Sequence, residues 1–260
     1  MDDRAAREQA FHDARFGAEE ERASDRFYSI TERSRAAYDA KLATIRPGMR
    51  VLEFGCGPYA SAYALAARGV RVSAIDISPV AIELAKADAA RLGLQIDFAV
   101  MNAEALSFPD ENFDVVCGSG ILHHLELQRS FRELTRVLAP GGWALFSEPL
   151  GHNPLVNWYR SRTPEQRTED EHPLLLSDFE LARSFFSDVK VSYYHLATLA
   201  ALPACTTPFV KPLCRVLDDV DRALFTVLPA AKRLAWVALV ELLGPKVPVH
   251  LSAGRKVATG

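Results

Sequence analysis

The sequence predicts an α/β fold built on a largely parallel sheet, and three observations predict it. Apolar runs and helical patterns alternate from residue 50 to residue 148. The stretch Val51-Leu-Glu-Phe-Gly-Cys-Gly-Pro-Tyr59 reads as a buried strand that passes through a glycine loop into a helix. A second apolar run, Arg71-Val-Ser-Ala-Ile-Asp76, ends on a carboxylate. Strand–helix–strand units of this length pair in parallel through right-handed crossovers.

The elements follow in order. Residues 1–45 are charged and helical in pattern, with apolar positions such as Phe11, Phe16, Phe27, Tyr28 and Tyr38, and are expected to form a helical cap. Pro47-Gly48 breaks that pattern. Strands are expected at 50–54, 71–75, 96–100, 113–117 and 143–147, with helices at 60–68, 79–92 and 129–138. Ser78-Pro79 is a helix start, a capping serine followed by proline at the first helical position. Pro140-Gly141-Gly142 stops the helix before the fifth strand. Residues 149–176 form a polar insert in which Asn153-Pro154 and Thr163-Pro164 open short helices. Ser177-Asp-Phe-Glu180 has a capping-box pattern and opens a helix to about residue 186. A strand at 189–195, a helix at 215–228 and a last strand at 234–243 complete the chain.

The chain has 260 residues, 49% of them hydrophobic, enough for one large α/β domain or a domain with a cap. A formal net charge of −3, without a basic run or interleaved aromatics, weighs against a nucleic-acid partner. The charged start Met-Asp-Asp-Arg-Ala-Ala-Arg-Glu has no apolar stretch behind it, so no signal peptide is expected. The most apolar window, 234–243, is half the roughly 20 residues of a membrane helix and reads as a buried strand. Cys56, Cys117, Cys205 and Cys214 show no CxxC spacing, which points to a reduced, cytoplasmic protein with neither disulfides nor structural zinc.

A helix N-terminus behind a glycine loop presents unpaired N–H groups, and Gly55 and Gly57 let the backbone approach a ligand. A carboxylate ending the second strand accepts both hydroxyls of a ribose, each charge-assisted bond contributing about 1.5–3 kcal/mol. Two ligand classes fit. Gly55-Cys-Gly57-Pro-Tyr-Ala60 followed by Asp76 satisfies the dinucleotide pattern. Glu53, two residues before the first glycine, is instead placed for a cationic amino group.

Three further stretches decide between them: Met101-Asn-Ala-Glu-Ala-Leu-Ser-Phe-Pro109, Phe113 through Leu125 with its Gly-Ser-Gly-Ile-Leu-His-His exit, and Arg136-Val-Leu-Ala-Pro-Gly-Gly142. With them, residues 50–148 resemble the class I S-adenosylmethionine-dependent methyltransferases of the small-molecule type. The match rests on the order and spacing of five segments and covers a little over a third of the chain. The resemblance implies a Rossmann-like, seven-stranded, mostly parallel sheet with helices on both faces and an antiparallel last strand. Residues 46–148 would be the cofactor-binding core, and 149–260 a substrate-side insert that also completes the sheet. The implied cofactor is S-adenosylmethionine, leaving S-adenosylhomocysteine as product. Glu53, Gly55, Cys56 and Gly57 would wrap its methionine end. Asp76, with Ile77 beside it, would hold the ribose, Asn102 and Ala103 would frame the adenine, and Ser119 would offer a backbone oxygen to the amino group.

Two positions depart from the family pattern. Tyr59 replaces the third glycine, and Asn102 replaces an acid, leaving an amide oxygen to accept from the adenine amino group. They motivate a competing reading as a cofactor-binding protein without catalysis; the other competitor is an NAD-dependent oxidoreductase.

Methyl transfer from a sulfonium depends mainly on placing the acceptor, worth up to about 7–11 kcal/mol, and a hydroxyl or protonated amine also needs a base. His123 and His124 past the fourth strand, and Glu148 ending the fifth, are the candidate catalytic residues at the ligand-binding edge. Tyr28, Tyr59, His152 and Trp158 are candidates for the lid and acceptor pocket. His12 and His195 are expected to be structural. Glu169-Asp-Glu-His172 has metal-ligand composition without metal-ligand spacing, so no metal is expected. The strand-four exit lacks an Asn/Asp-Pro-Pro-aromatic tetrad, which weighs against methylation of DNA bases. The expected activity is methyl transfer to a small organic acceptor, at oxygen first and nitrogen next.

Overall fold

The computed structural model describes residues 3–17, 25–58 and 60–246, with backbone alone at 25–27. Tyr59 lies outside the described residues, as does the side chain of Phe27. The chain opens with helix α1 (Asp3–Gly17), a 3-10 turn at Asp25–Ile30 and α2 (Glu32–Leu42). The alternating core then runs β1 (Arg50–Phe54), α3 (Ala62–Ala66), β2 (Arg71–Asp76), α4 (Pro79–Leu92), β3 (Asp97–Val100), β4 (Phe113–Ser119), α5 (Leu127–Val137) and β5 (Leu138–Pro149). It continues through α6 (Pro154–Arg162), α7 (Leu176–Phe185), β6 (Phe186–Tyr194), α8 (Val210–Val227) and β7 (Val237–Pro245).

The seven strands form one sheet in the order β3-β2-β1-β4-β5-β7-β6. β1 through β5 pair in parallel, and β7 lies antiparallel between β5 and β6. The fold is therefore the seven-stranded Rossmann-like sheet with an antiparallel last strand that the sequence implied. Alternation along β1 sends Leu52 and Phe54 into one core with α5 and α7, and Val51 into the other with α2, α3 and α4. Strand order reverses between β1 and β4, so the loops leaving their carboxyl ends diverge and open a crevice there.

Local chemistry sets the boundaries. Ser78 Oγ accepts from Ala81 N at 3.1 Å, Pro79 starts α4, and Gly93 ends it at φ 67°. α7 starts two residues earlier than a capping Ser177 would place it, because Leu175 is the N-cap and Asp178 Oδ2 makes the reciprocal bond by accepting from Leu175 N at 2.7 Å. α3 is shorter than expected, since residues 60–61 are still in the loop. α8 begins at Val210, with Pro212 tolerated in its first turn. β7 starts after a 3-10 turn, Pro229–Leu234, rather than at residue 234. No helix is long and apolar enough to cross a membrane among the described residues.

Candidate active site

A cavity of about 870 Å³ occupies the crevice. Its floor comes from the ends of β1, β2 and β4 and the loop after β3, and its roof from α1 and α6. The loop after β1 is built by two carboxylates. Asp76 lines the cavity; its Oδ2 accepts from Gly57 N and its Oδ1 from Ser78 N, each at 2.9 Å. A carboxylate has about four acceptor sites, so others remain for hydroxyls. Glu53 departs from its expected role. Its oxygens accept from Ser61 N and Ala62 N, both at 2.8 Å, and its side chain is not part of the cavity wall. It sits beneath the start of α3 and secures the loop from behind; burial pushes its carboxyl up to about 7.

Gly55, at φ 59°, lines the cavity as expected and carries a second constraint: an added Cβ would lie 2.7 Å from Ile121 Cδ1. Its size thus admits a neighbouring side chain. Cys56, Gly57, Ile77, Asn102, Ala103 and Ser119 all reach the cavity. Asn102 Oδ1 already accepts from Glu104 N at 2.9 Å, which fixes the amide orientation.

Glu148 differs from its expected position as well, for it lies behind the wall. Its Oε1 accepts from Ile121 N at 3.0 Å and Leu122 N at 2.9 Å, and its Oε2 is 2.8 Å from His123 Nδ1. Burial pushes Glu148 up to about 7 and holds His123 well below the ordinary histidine value. Burial favours the neutral form of each partner, and the 2.8 Å contact is one hydrogen bond whose proton lies between Nδ1 and Oε2. The two backbone donors favour the carboxylate, so the proton sits on His123 Nδ1 and leaves a lone pair on Nε2. Nε2 is 3.9 Å from Glu171 Oε1, and Arg160 Nη2 is 3.7 Å from the same oxygen. Arg160 Nη1 is sealed from solvent without a hydrogen-bond partner among the described residues.

The other candidates separate. His124 lines the cavity, its Nδ1 3.1 Å from Glu8 Oε2. His152 is outside it; Nε2 accepts from Leu176 N at 3.1 Å and so caps α7. Tyr28, half exposed, reaches the cavity and lies 5.8 Å from the Trp236 ring. Trp158 stands at the rim beneath the Arg162 guanidinium, 5.5 Å from its ring centroid. His195 is structural as expected: it is buried, with Nε2 2.8 Å from Ser34 Oγ, and burial lowers it to about 4. His12 is not, since it lines the cavity.

Sequence reasoning missed Arg4, Glu8, Arg160 and Glu171 as wall residues. The one available signal was Glu8 and His12 at i,i+4, which places both on one face of a helix.

Residues 52–146 match the family model described as a methyltransferase domain. The chain is 32% identical over 127 residues to a ubiquinone biosynthesis O-methyltransferase of Cereibacter sphaeroides, covering 48% of this chain and 51% of that protein. It is 40% identical over 96 residues to the protein of the same name from Methylocella silvestris, covering 36% and 38%. The chain thus spans about half the length, or less, of these curated relatives. Among solved structures it superposes on the geranyl diphosphate C-methyltransferase of Streptomyces coelicolor, in complex with Mg2+, geranyl diphosphate and S-adenosyl-L-homocysteine. That superposition has a TM-score of 0.62 at 14% identity and covers 95% of this chain and 99% of the other.

Proposed function

Since residues 52–146 match the methyltransferase-domain family, we propose that this chain is a class I S-adenosylmethionine-dependent methyltransferase and methylates an acidic hydroxyl on a small organic acceptor. The single observation that carries the reading is that Asp76 and His123, the latter held from behind by Glu148, line one cavity.

The residues fit the cofactor. Asp76 is buried, held by two backbone donors, and keeps acceptor capacity for a ribose diol. Ile77, Met101, Ala103 and Ile121 supply apolar wall for a flat base. Asn102, its amide fixed by Glu104 N, is oriented beside that wall. Ser119 ends β4 at the position suited to the amino-acid end. When bound, the cofactor supplies an electrophilic methyl group.

Every other step belongs to the chain. His123 Nε2 takes the proton from the acceptor hydroxyl. Glu148 holds the ring in the tautomer that leaves Nε2 unprotonated and stabilises the charge that develops on it. Burial makes His123 a weak base, which suits a phenol or enol better than an aliphatic alcohol. Arg160, whose Nη1 has no hydrogen-bond partner among the described residues, is close enough to this point to steady the oxyanion. α1 and the 149–176 segment act as cap and acceptor wall, with 46–148 as the cofactor core. Four free cysteines suit a reducing compartment such as the cytoplasm.

The test is incubation with methyl-labelled cofactor and paired sets of phenols and aliphatic alcohols, with the labelled product identified. Label on phenolic oxygen, lost in His123→Ala, is the expected result. Label on carbon or nitrogen alone would overturn the assignment to oxygen. Retained cofactor binding with no labelled product would instead favour a non-catalytic protein.

A further inference from the structure

α1 carries Glu8 and His12 one helical turn apart, and the 3-10 turn after β4, Leu122–His124, carries His124. Three donor atoms from these two elements converge. Glu8 Oε2 is 3.5 Å from His12 Nε2 and 3.1 Å from His124 Nδ1, and one ligand atom from each residue lies within 4.8 Å of the others. A tetrahedral ion bound at about 2.0–2.1 Å separates its ligands by roughly 3.3 Å, so the two measured separations bracket that edge.

Neither Glu8 Oε2 nor His124 Nδ1, both sealed from solvent, makes a hydrogen bond of acceptable geometry among the described residues. They face each other at 3.1 Å, and an ion seated among the three donors would satisfy both. The carboxylate is also oriented from behind, for Thr168 Oγ1 donates to Glu8 Oε1, as the outer partner of a metal ligand does. All three residues line the cavity, and three protein ligands leave a tetrahedral ion a fourth position for an exogenous ligand.

We infer that Glu8, His12 and His124 form a three-ligand site for a divalent first-row transition ion, with a fourth position open to an exogenous ligand. Two imidazoles and one carboxylate suit Zn2+, Co2+ or Fe2+ better than Mg2+ or Ca2+, which prefer all-oxygen shells. The ion would tie α1 to the exit of β4 and present a Lewis-acidic vertex to that ligand. This assignment replaces the expectation of a metal-free site, and it stands whether or not the chain transfers methyl groups.

The test uses the full chain, stripped with a chelator and titrated with Co2+, whose visible absorption reports its ligands. One ion per chain is expected, with intense four- or five-coordinate bands that disappear on adding Zn2+. His12→Gln should abolish those bands and weaken binding at least tenfold. Thr168→Val, which leaves all three ligands in place, should weaken it by about ten- to a hundredfold. Circular dichroism of each stripped variant checks that it is folded. Wild-type titration showing only the faint spectrum of aqueous Co2+ would overturn the assignment. So would wild-type binding by folded His12→Gln.

Discussion

At the scale of single residues, the site is built by carboxylates that face inward to the backbone. Glu148 secures the exit of β4 through Ile121 N and Leu122 N, and the same group orients His123. Glu148→Gln, which swaps an acceptor oxygen for an NH2, is expected to lower kcat by about 10²-fold, and His123→Ala by 10²- to 10⁴-fold, the usual span for a general base. Cofactor affinity should be nearly unchanged in both. Steady-state kinetics with calorimetry on the same samples separate these effects, and a loss confined to cofactor binding would contradict the role. Glu53 carries a pH prediction. Its carboxyl titrates near 7 in the fold against an ordinary 4.5, so the folded state holds the proton more tightly. Its contribution to stability is present below pH 4.5 and is lost as pH rises through 7. The melting temperature of wild type minus that of Glu53→Gln should therefore shrink between pH 5 and pH 8. A constant difference would show that Glu53 titrates normally. Glu53 also marks where sequence reading stopped. Its position beside the glycine loop was legible, but the direction of its side chain depends on where Ser61 and Ala62 present their N–H groups.

At the scale of elements, the strands and α4 were legible because local signals agree there: apolar runs, a Ser-Pro start and a glycine stop. The role of α1 was not. Its ties reach across the chain: Arg4 to Glu104 and to the His124 carbonyl, Arg7 to Asp170, Glu8 to Thr168, and Asp13 to Ser78. Partners 160 residues apart, as in the Thr168–Glu8 bond, leave no local pattern. The helix nevertheless forms part of the cavity roof with Ala5, Phe11 and Phe16. Arg4→Ala leaves the buried Glu104 without that charged partner, a loss of about 1.5–3 kcal/mol for a charge-assisted bond. S-adenosylhomocysteine is expected to dissociate about tenfold faster from this variant in stopped-flow measurements. An unchanged rate would show that α1 does not cover the cofactor.

At the scale of the whole molecule, one sheet with a reversal of strand order between β1 and β4 explains why the glycine loop, Asp76, Ser119 and His123 meet. The order of the segments revealed that meeting, since each sits at the carboxyl end of its strand. The acceptor side was less legible: residues 154–171 combine short helices and turns, and Arg160 and Glu171 are positioned by tertiary contacts rather than by a motif. Binding to the β1–β2 edge is therefore the premise on which the catalytic reading depends. Titration calorimetry of the full chain with S-adenosylhomocysteine, and separately with NADH, tests it most directly. One S-adenosylhomocysteine per chain is expected, with affinity reduced about ten- to a hundredfold in Asp76→Ala by loss of its charge-assisted bonds, and no heat from NADH. Binding of NADH in its place, or unaltered S-adenosylhomocysteine affinity in a folded Asp76→Ala variant, would contradict it.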